Sequence, residues 1–165
     1  MGNWPGIDAP PMPWICPPTV AMNICARLRA GITTDSAEET RALAAELAAV
    51  LPPDTVLALH GDMGVGKTTF VQGLARGLGV REPVTSPTFA IYSVYAGSDK
   101  KLVHLDAYRL EHERQLEDLL LEEFLTSPWV LAVEWPEKTG ALLPANAWHL
   151  TLGIVTGDRH TLRLH

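Results

Sequence analysis

Two hydrophobic periods alternate along this chain, and the switches between them mark its elements. Residues 55–60, TVLALH, and 129–135, WVLAVEW, are short and nearly all apolar, as expected of strands buried on both faces of a sheet. Ahead of the first of these the period lengthens: Ala37, Thr40, Leu43, Ala44, Leu47, Val50 and Leu51 fall on one helical face. Ser36 with Glu39 supplies a capping box for that helix, or Asp35 caps it directly, and Pro52-Pro53 ends it. A second helix follows Gly66, with Phe70, Val71, Leu74 and Leu78 on one face and Gly77 and Gly79 as its stop. A third is predicted over 113–125, ERQLEDLLLEEFL, with Leu116, Leu119, Leu120 and Phe124 as its stripe.

The remaining runs have the period of strands. Residues 26–34, ARLRAGITT, alternate enough for an edge strand, although Gly31 weakens it. FAIYSVYA and KLVHLD flank a GSDK turn, and AWHLTLGIV and HTLRLH flank TGDR, so each pair reads as strand, turn, strand. The sum is a three-layer α/β fold with a mixed, mainly parallel central sheet and a C-terminal β-hairpin. Residues 26–165 form one domain, and residues 1–25 read as a proline-rich, disordered extension. A translation start near Met22 and partner anchoring through Trp4 and Trp14 are the alternatives for that segment.

Charge narrows the function. Thirteen basic against nineteen acidic residues give a net charge of −6, which disfavours a broad grip on nucleic acid. RNA, if involved, would be reached through another protein. Cys16 and Cys25 lie outside any metal-ligand spacing, which suits a reducing cytoplasm, and no apolar run reaches membrane-spanning length.

The chemistry concentrates in LALHGDMGVGKTTF, residues 57–70. Gly61, four residues, then Gly66-Lys67-Thr68 fits the phosphate-binding loop, and its strand-before, helix-after context makes the fold a P-loop NTPase. Glycines let successive N–H groups point into one concavity, Lys67 brings a compact charge to the outer phosphates, and Thr68 offers a hydroxyl to magnesium. The expected nucleotide cradle is Gly61, Asp62, Met63, Gly64, Val65, Gly66, Lys67, Thr68 and Thr69. Asp106, at the end of KLVHLD, is the candidate metal carboxylate, and Glu134 closes its apolar strand where it could orient water or assist the metal. The metal set is therefore Thr68, Asp106 and Glu134, and the catalytic pair Lys67 and Glu134. Ser86 and Thr88 in VTSPTF form a candidate switch, and Trp135 could stack on the base or serve the core. Arg109 could neutralise phosphate charge or form a structural ion pair. The N-K-x-D motif that reads guanine is missing, and so is an arginine-rich lid for a second substrate. Hydrolysis thus fits better than transfer to a metabolite. A small-molecule kinase and a non-hydrolytic, nucleotide-dependent binding module are the alternatives.

GDMGVGKTTF, SPTF, LDAYRL and VEWPEK, in this order and spacing, resemble the TsaE (YjeE-like) family from about residue 32 onward. The resemblance implies a small ATPase of the pathway that makes threonylcarbamoyladenosine on tRNA, using ATP with Mg2+. It implies partners TsaB and TsaD, with hydrolysis supporting repeated turnover of that transferase and tRNA met only through the complex. By position it matches Lys67 and Thr68 to the family's phosphate and magnesium residues, and Ser86 and Thr88 to its switch-like segment. Asp106 matches its metal aspartate, and Glu134-Trp135 its pair beside the nucleotide. One departure is that LEDLLLEEF lacks a glycine expected before the acidic pair.

Overall fold

Residues 129–133 can be apolar at every position only if both faces of their sheet are covered, and they are. The computed structural model describes residues 21–87, 90–112, 114–140 and 143–165. In it Trp129–Glu134 (β5) is buried along its whole length, and Thr55–His60 (β2) is buried up to His60. These two lie inside a seven-stranded sheet completed by Ile32–Thr34 (β1), Tyr92–Ala96 (β3), Lys101–Asp106 (β4), Trp148–Thr156 (β6) and Arg159–Leu164 (β7). The order is β1-β7-β6-β2-β5-β4-β3. The central strands β6, β2, β5 and β4 run parallel, and antiparallel pairs β1–β7, β6–β7 and β3–β4 form the flanks.

Strand alternation divides the core in two. Leu57, Leu59, Leu102, Val130, Ala132, Leu150 and Leu152 face a layer of helices: Ala21–Ala30 (α1), Ala37–Ala48 (α2) and Lys67–Gly77 (α3). Val56, Val103, Leu105, Leu131 and Val133 face a thinner layer, made of Ala107, Leu110, Leu121 and Leu125. That layer contains the one-turn helix Arg114–Glu117 (α4) and short 3-10 turns at Ala107–Arg109 and Leu121–Glu123. The three-layer reading holds, with one layer much thinner than the other.

Helix α2 starts as its sequence requires: the Ser36 hydroxyl accepts from the Glu39 N–H at 3.2 Å, and the Glu39 carboxylate accepts from the Asp35 N–H at 2.7 Å. Helix α3 packs closely on it, because Gly73 and Gly77 face Ala44 and Ala48 without side chains between. Gly77 therefore belongs to the helix and to its contact with α2. Gly79, at φ +76, is the residue that turns the chain away.

Two predicted elements are corrected. Residues 26–30 belong to α1, and only Ile32–Thr34 is strand. Ile24, Cys25 and Leu28 are buried at helical spacing, so the domain's core reaches back into the segment expected to be an extension, and Gly31 at φ +91 ends the helix. Residues 1–20 lie outside the described residues. The helix predicted over 113–125 breaks: Leu120 adopts the left-handed conformation, φ +48, and is exposed with Phe124, while Leu121 and Leu125 are buried instead. Leu120 stands just before Glu122-Glu123, where a glycine would take this conformation without strain.

Two substitutions should thus act with opposite sign to helix propensity. A Cβ at Gly73 would lie 2.4 Å from the Arg41 carbonyl oxygen and 2.6 Å from the Ala44 Cβ. Gly73→Ala, favourable in a free helix, should cost about 1–3 kcal/mol in urea unfolding. Leu120→Gly should be neutral or stabilising, by at most about 1 kcal/mol.

Candidate functional site

The parallel strands β2, β4 and β5 all end at one edge of the sheet, and the register sets Asp106 opposite Glu134, and Glu134 opposite Leu59. Such an edge is where parallel α/β sheets place ligands. The chain leaves β2 through Gly61 and turns into α3 at Gly66. Gly61 sits at φ +137, and a Cβ there would lie 2.4 Å from the Leu152 carbonyl oxygen of β6, so the loop can pass this strand only as glycine. Gly66, at φ +93, is the residue before α3 and makes no side-chain cap, leaving the helix's first N–H groups to the cavity. From the other side, Nδ1 of His160 on β7 lies 2.9 Å from the Val65 carbonyl oxygen and braces the loop.

A cavity of about 360 Å³ opens here, lined by Met63, Gly64, Gly66–Thr69, Ser86, Asp106, Tyr108, Glu134 and Trp135. Lys67 is buried and donates to the carbonyl oxygens of Gly61 at 2.5 Å and Asp62 at 2.8 Å. Its ammonium lies 3.9 Å from the centre of the Trp135 ring. The Thr68 hydroxyl donates to Oε1 of Glu134 at 2.9 Å, and the Ser86 hydroxyl to Oδ2 of Asp106 at 2.8 Å. Oδ1 of Asp106 accepts from the Tyr108 N–H at 3.0 Å. The structure thus brings together Met63, Gly64, Gly66–Thr69, Ser86, Asp106, Glu134 and Trp135 around one cavity, while Val65 turns into the core.

Three further residues singled out in the sequence fare differently. Thr88 lies outside the described residues. Arg109 lines a smaller neighbouring cavity with Ser86, Pro87, Ile91, Asp106 and Tyr108. Trp135, at φ +57, turns its ring against Lys67 and lies 5.1 Å from the Tyr108 ring, so it walls the phosphate end of the cavity. Sequence reasoning missed Tyr108, His104 and His160. The signal for His104 was its place two residues before Asp106 on a strand, which sets both on one face. No pattern along the chain signals the cross-sheet reach of His160.

The oxygen set suits a hard cation bound together with phosphates. Thr68, Ser86, Asp106 and Glu134 contribute hydroxyls and carboxylates, and magnesium takes one or two such ligands while keeping water and phosphate oxygens. Among the described residues no group of three His, Cys, Asp or Glu side chains forms a cage of its own. Nor is any described helix long and apolar enough to cross a membrane.

A family model described as "Threonylcarbamoyl adenosine biosynthesis protein TsaE" matches residues 34–161. The chain belongs to the TsaE family. A Bacillus subtilis relative named "tRNA threonylcarbamoyladenosine biosynthesis protein TsaE" is 45% identical over 111 residues, 67% of this chain and 69% of the relative. A Treponema pallidum relative of the same name is 35% identical over 125 residues, 75% of this chain and 92% of its own length. The solved structure titled "Crystal structure of Bacillus subtilus YdiB" superposes with a TM-score of 0.67 at 34% identity, covering 80% of this chain and 81% of that one. Family and fold thus agree with what the motifs imply. The family match begins at residue 34, after α1, which packs on β7.

Burial lowers the Lys67 pKa from its ordinary value of 10.5, while Glu134, Glu137, Asp106 and Asp62 pull it partly back. The unfolded chain then binds more protons than the native one between the native pKa and 10.5, so this contribution to stability rises with pH across that window. Urea unfolding of wild type and Lys67→Met, at about pH 8 and about pH 10, should show wild type gaining relative to the variant as pH rises. A pH-independent difference would contradict the burial of this charge.

Proposed function

We propose that this protein binds and hydrolyses ATP with Mg2+ as an accessory subunit of tRNA threonylcarbamoyladenosine synthesis, supporting repeated turnover of a TsaB–TsaD transferase. The observation that carries the ATPase half is the convergence of Lys67 and Thr68 on a glycine-shaped loop with two strand-end carboxylates. The pathway half rests on family membership and the relatives' names.

In this reading the N–H groups from Asp62 to Thr69 cradle the phosphates and Lys67 exchanges its two loop carbonyls for phosphate oxygens. Thr68 and Asp106 hold magnesium, whose charge offsets that of the phosphates. Glu134 assists the metal site and orients the attacking water. Ser86, now bonded to Asp106, is placed to exchange partners when nucleotide binds. Trp135, seated on Lys67, has to give up that contact when the lysine moves to the phosphates. The net charge of −6 suits a subunit that meets tRNA only through its partners.

The test counts modified tRNA per TsaD in an assay with TsaB, TsaD, threonylcarbamoyl-adenylate and ATP. Adding this protein should convert limited turnover into repeated turnover, and both Lys67→Ala and Glu134→Ala should remove the gain. Activity kept by Glu134→Ala and lost in Lys67→Ala would mean nucleotide binding without useful hydrolysis. No gain with active partners would redirect the search to a phosphate acceptor.

A further inference from the structure

Among the described residues His104 is the one histidine with no exposed surface, and the mechanism above gives it no task. It sits in the middle of β4, opposite Ala132 of β5, with Leu102 and Val103 buried before it and Leu105 after it. A leucine or valine would suit that position. Instead Nε2 of His104 lies 2.8 Å from Oε1 of Glu134, while its Nδ1 is buried without any hydrogen-bond partner. An unpaired interior nitrogen lowers stability, so the ring is kept at a cost to the fold.

The geometry points to a positioning role: we propose that His104 donates from Nε2–H to Oε1 of Glu134 and holds that carboxylate in the rotamer that faces the nucleotide. The inference rests on the reading of Glu134 as the group that orients water. Among the described residues two side chains hydrogen-bond to Glu134, Thr68 and His104, and both do so at Oε1. The two tethers differ in kind. Thr68 is at the first turn of α3 and, in the proposed function, has a second task at the metal. His104 is locked by burial on a strand paired on both sides, so its ring is the tether that stays fixed when the loop fills. With Oε1 so held, Oε2 is the oxygen left to serve the cavity that Glu134 lines.

Two measurements test this on the full chain. Long-range ¹H–¹⁵N correlation of the imidazole nitrogens, without nucleotide, should find His104 protonated at Nε2, with a resonance that moves in Glu134→Gln. A ring protonated at Nδ1 alone would overturn the proposal, whether or not the protein hydrolyses ATP. The second compares His104→Leu, which fills the space without a donor, with His104→Gln, whose amide nitrogen can reach where Nε2 lies. His104→Leu should melt no lower than wild type yet lose at least about ten-fold in kcat for partner-stimulated ATP hydrolysis, with KM changed less than about two-fold. His104→Gln should recover most of that loss. A His104→Leu variant with wild-type kcat would overturn the proposal. So would a Leu variant that melts lower while the Gln variant stays equally slow, the pattern of a merely structural residue. If wild type itself hydrolyses no ATP with its partners, the functional reading fails, and the tautomer still decides whether this hydrogen bond exists.

Discussion

A carboxylate with only 4% of its surface exposed has to be satisfied by groups brought to it, and Glu134 is that carboxylate. It stands at the end of a strand that is otherwise apolar, so nothing on its own strand can serve it. Its partners come from two separate elements: Thr68 and the nearby Lys67 charge from the first turn of α3, and His104 from β4. Each must arrive at the same edge of the sheet, which requires β2, β4 and β5 to run parallel and in one register. The topology and the site are therefore one constraint met twice. A slip of one residue between β4 and β5 would turn His104 and Asp106 to the opposite face and leave Glu134 unpaired.

The same edge explains the thickness of the two outer layers. Helix α3 must point its N-terminus into the cavity, so its other face needs a firm bed, and α2 supplies one at glycine distance. The thinner layer of short turns carries Tyr108 and Arg109 in the 3-10 turn that follows Asp106, so its chain leaves the sheet beside the cavity. Short turns suit that place, since an opening at a site tolerates irregular backbone better than a packed helix face does.

Most of this architecture was legible because its signals are local. The burial of TVLALH and WVLAVEW, the capping box of α2 and the loop's glycine spacing each encode one backbone geometry. What failed has equally specific causes. In ARLRA, residues 26–30, the one inward residue, Leu28, satisfies either period, and only Ile24 and Cys25, upstream of the run, decide for a helix. In LEDLLLEEF every leucine spacing fits a helix, and the left-handed turn at Leu120 is invisible without the glycine that would mark it. Residue types singled out Lys67, Thr68, Asp106 and Glu134, all of which line the cavity, since their chemistry is individual. His104 and His160 act across strands, through register, which periodicity along one segment does not encode.

The C-terminal hairpin shows how far that limit reaches. Its sequence announces two strands and a turn, and nothing in it speaks of phosphate. Yet β6 lays the Leu152 carbonyl where only a glycine can pass, and β7 sets His160 against the carbonyl of Val65. The Val65 oxygen can only accept, so Nδ1 carries the proton and the loop is held by a donor outside its own segment. A phosphate cradle has to keep its N–H groups aimed inward before any anion arrives, and carbonyls pulled outward by neighbouring strands help to do that. Motif and scaffold are thus not separable here: the loop's spacing defines what it can bind, and the hairpin behind it holds the shape in which it can do so.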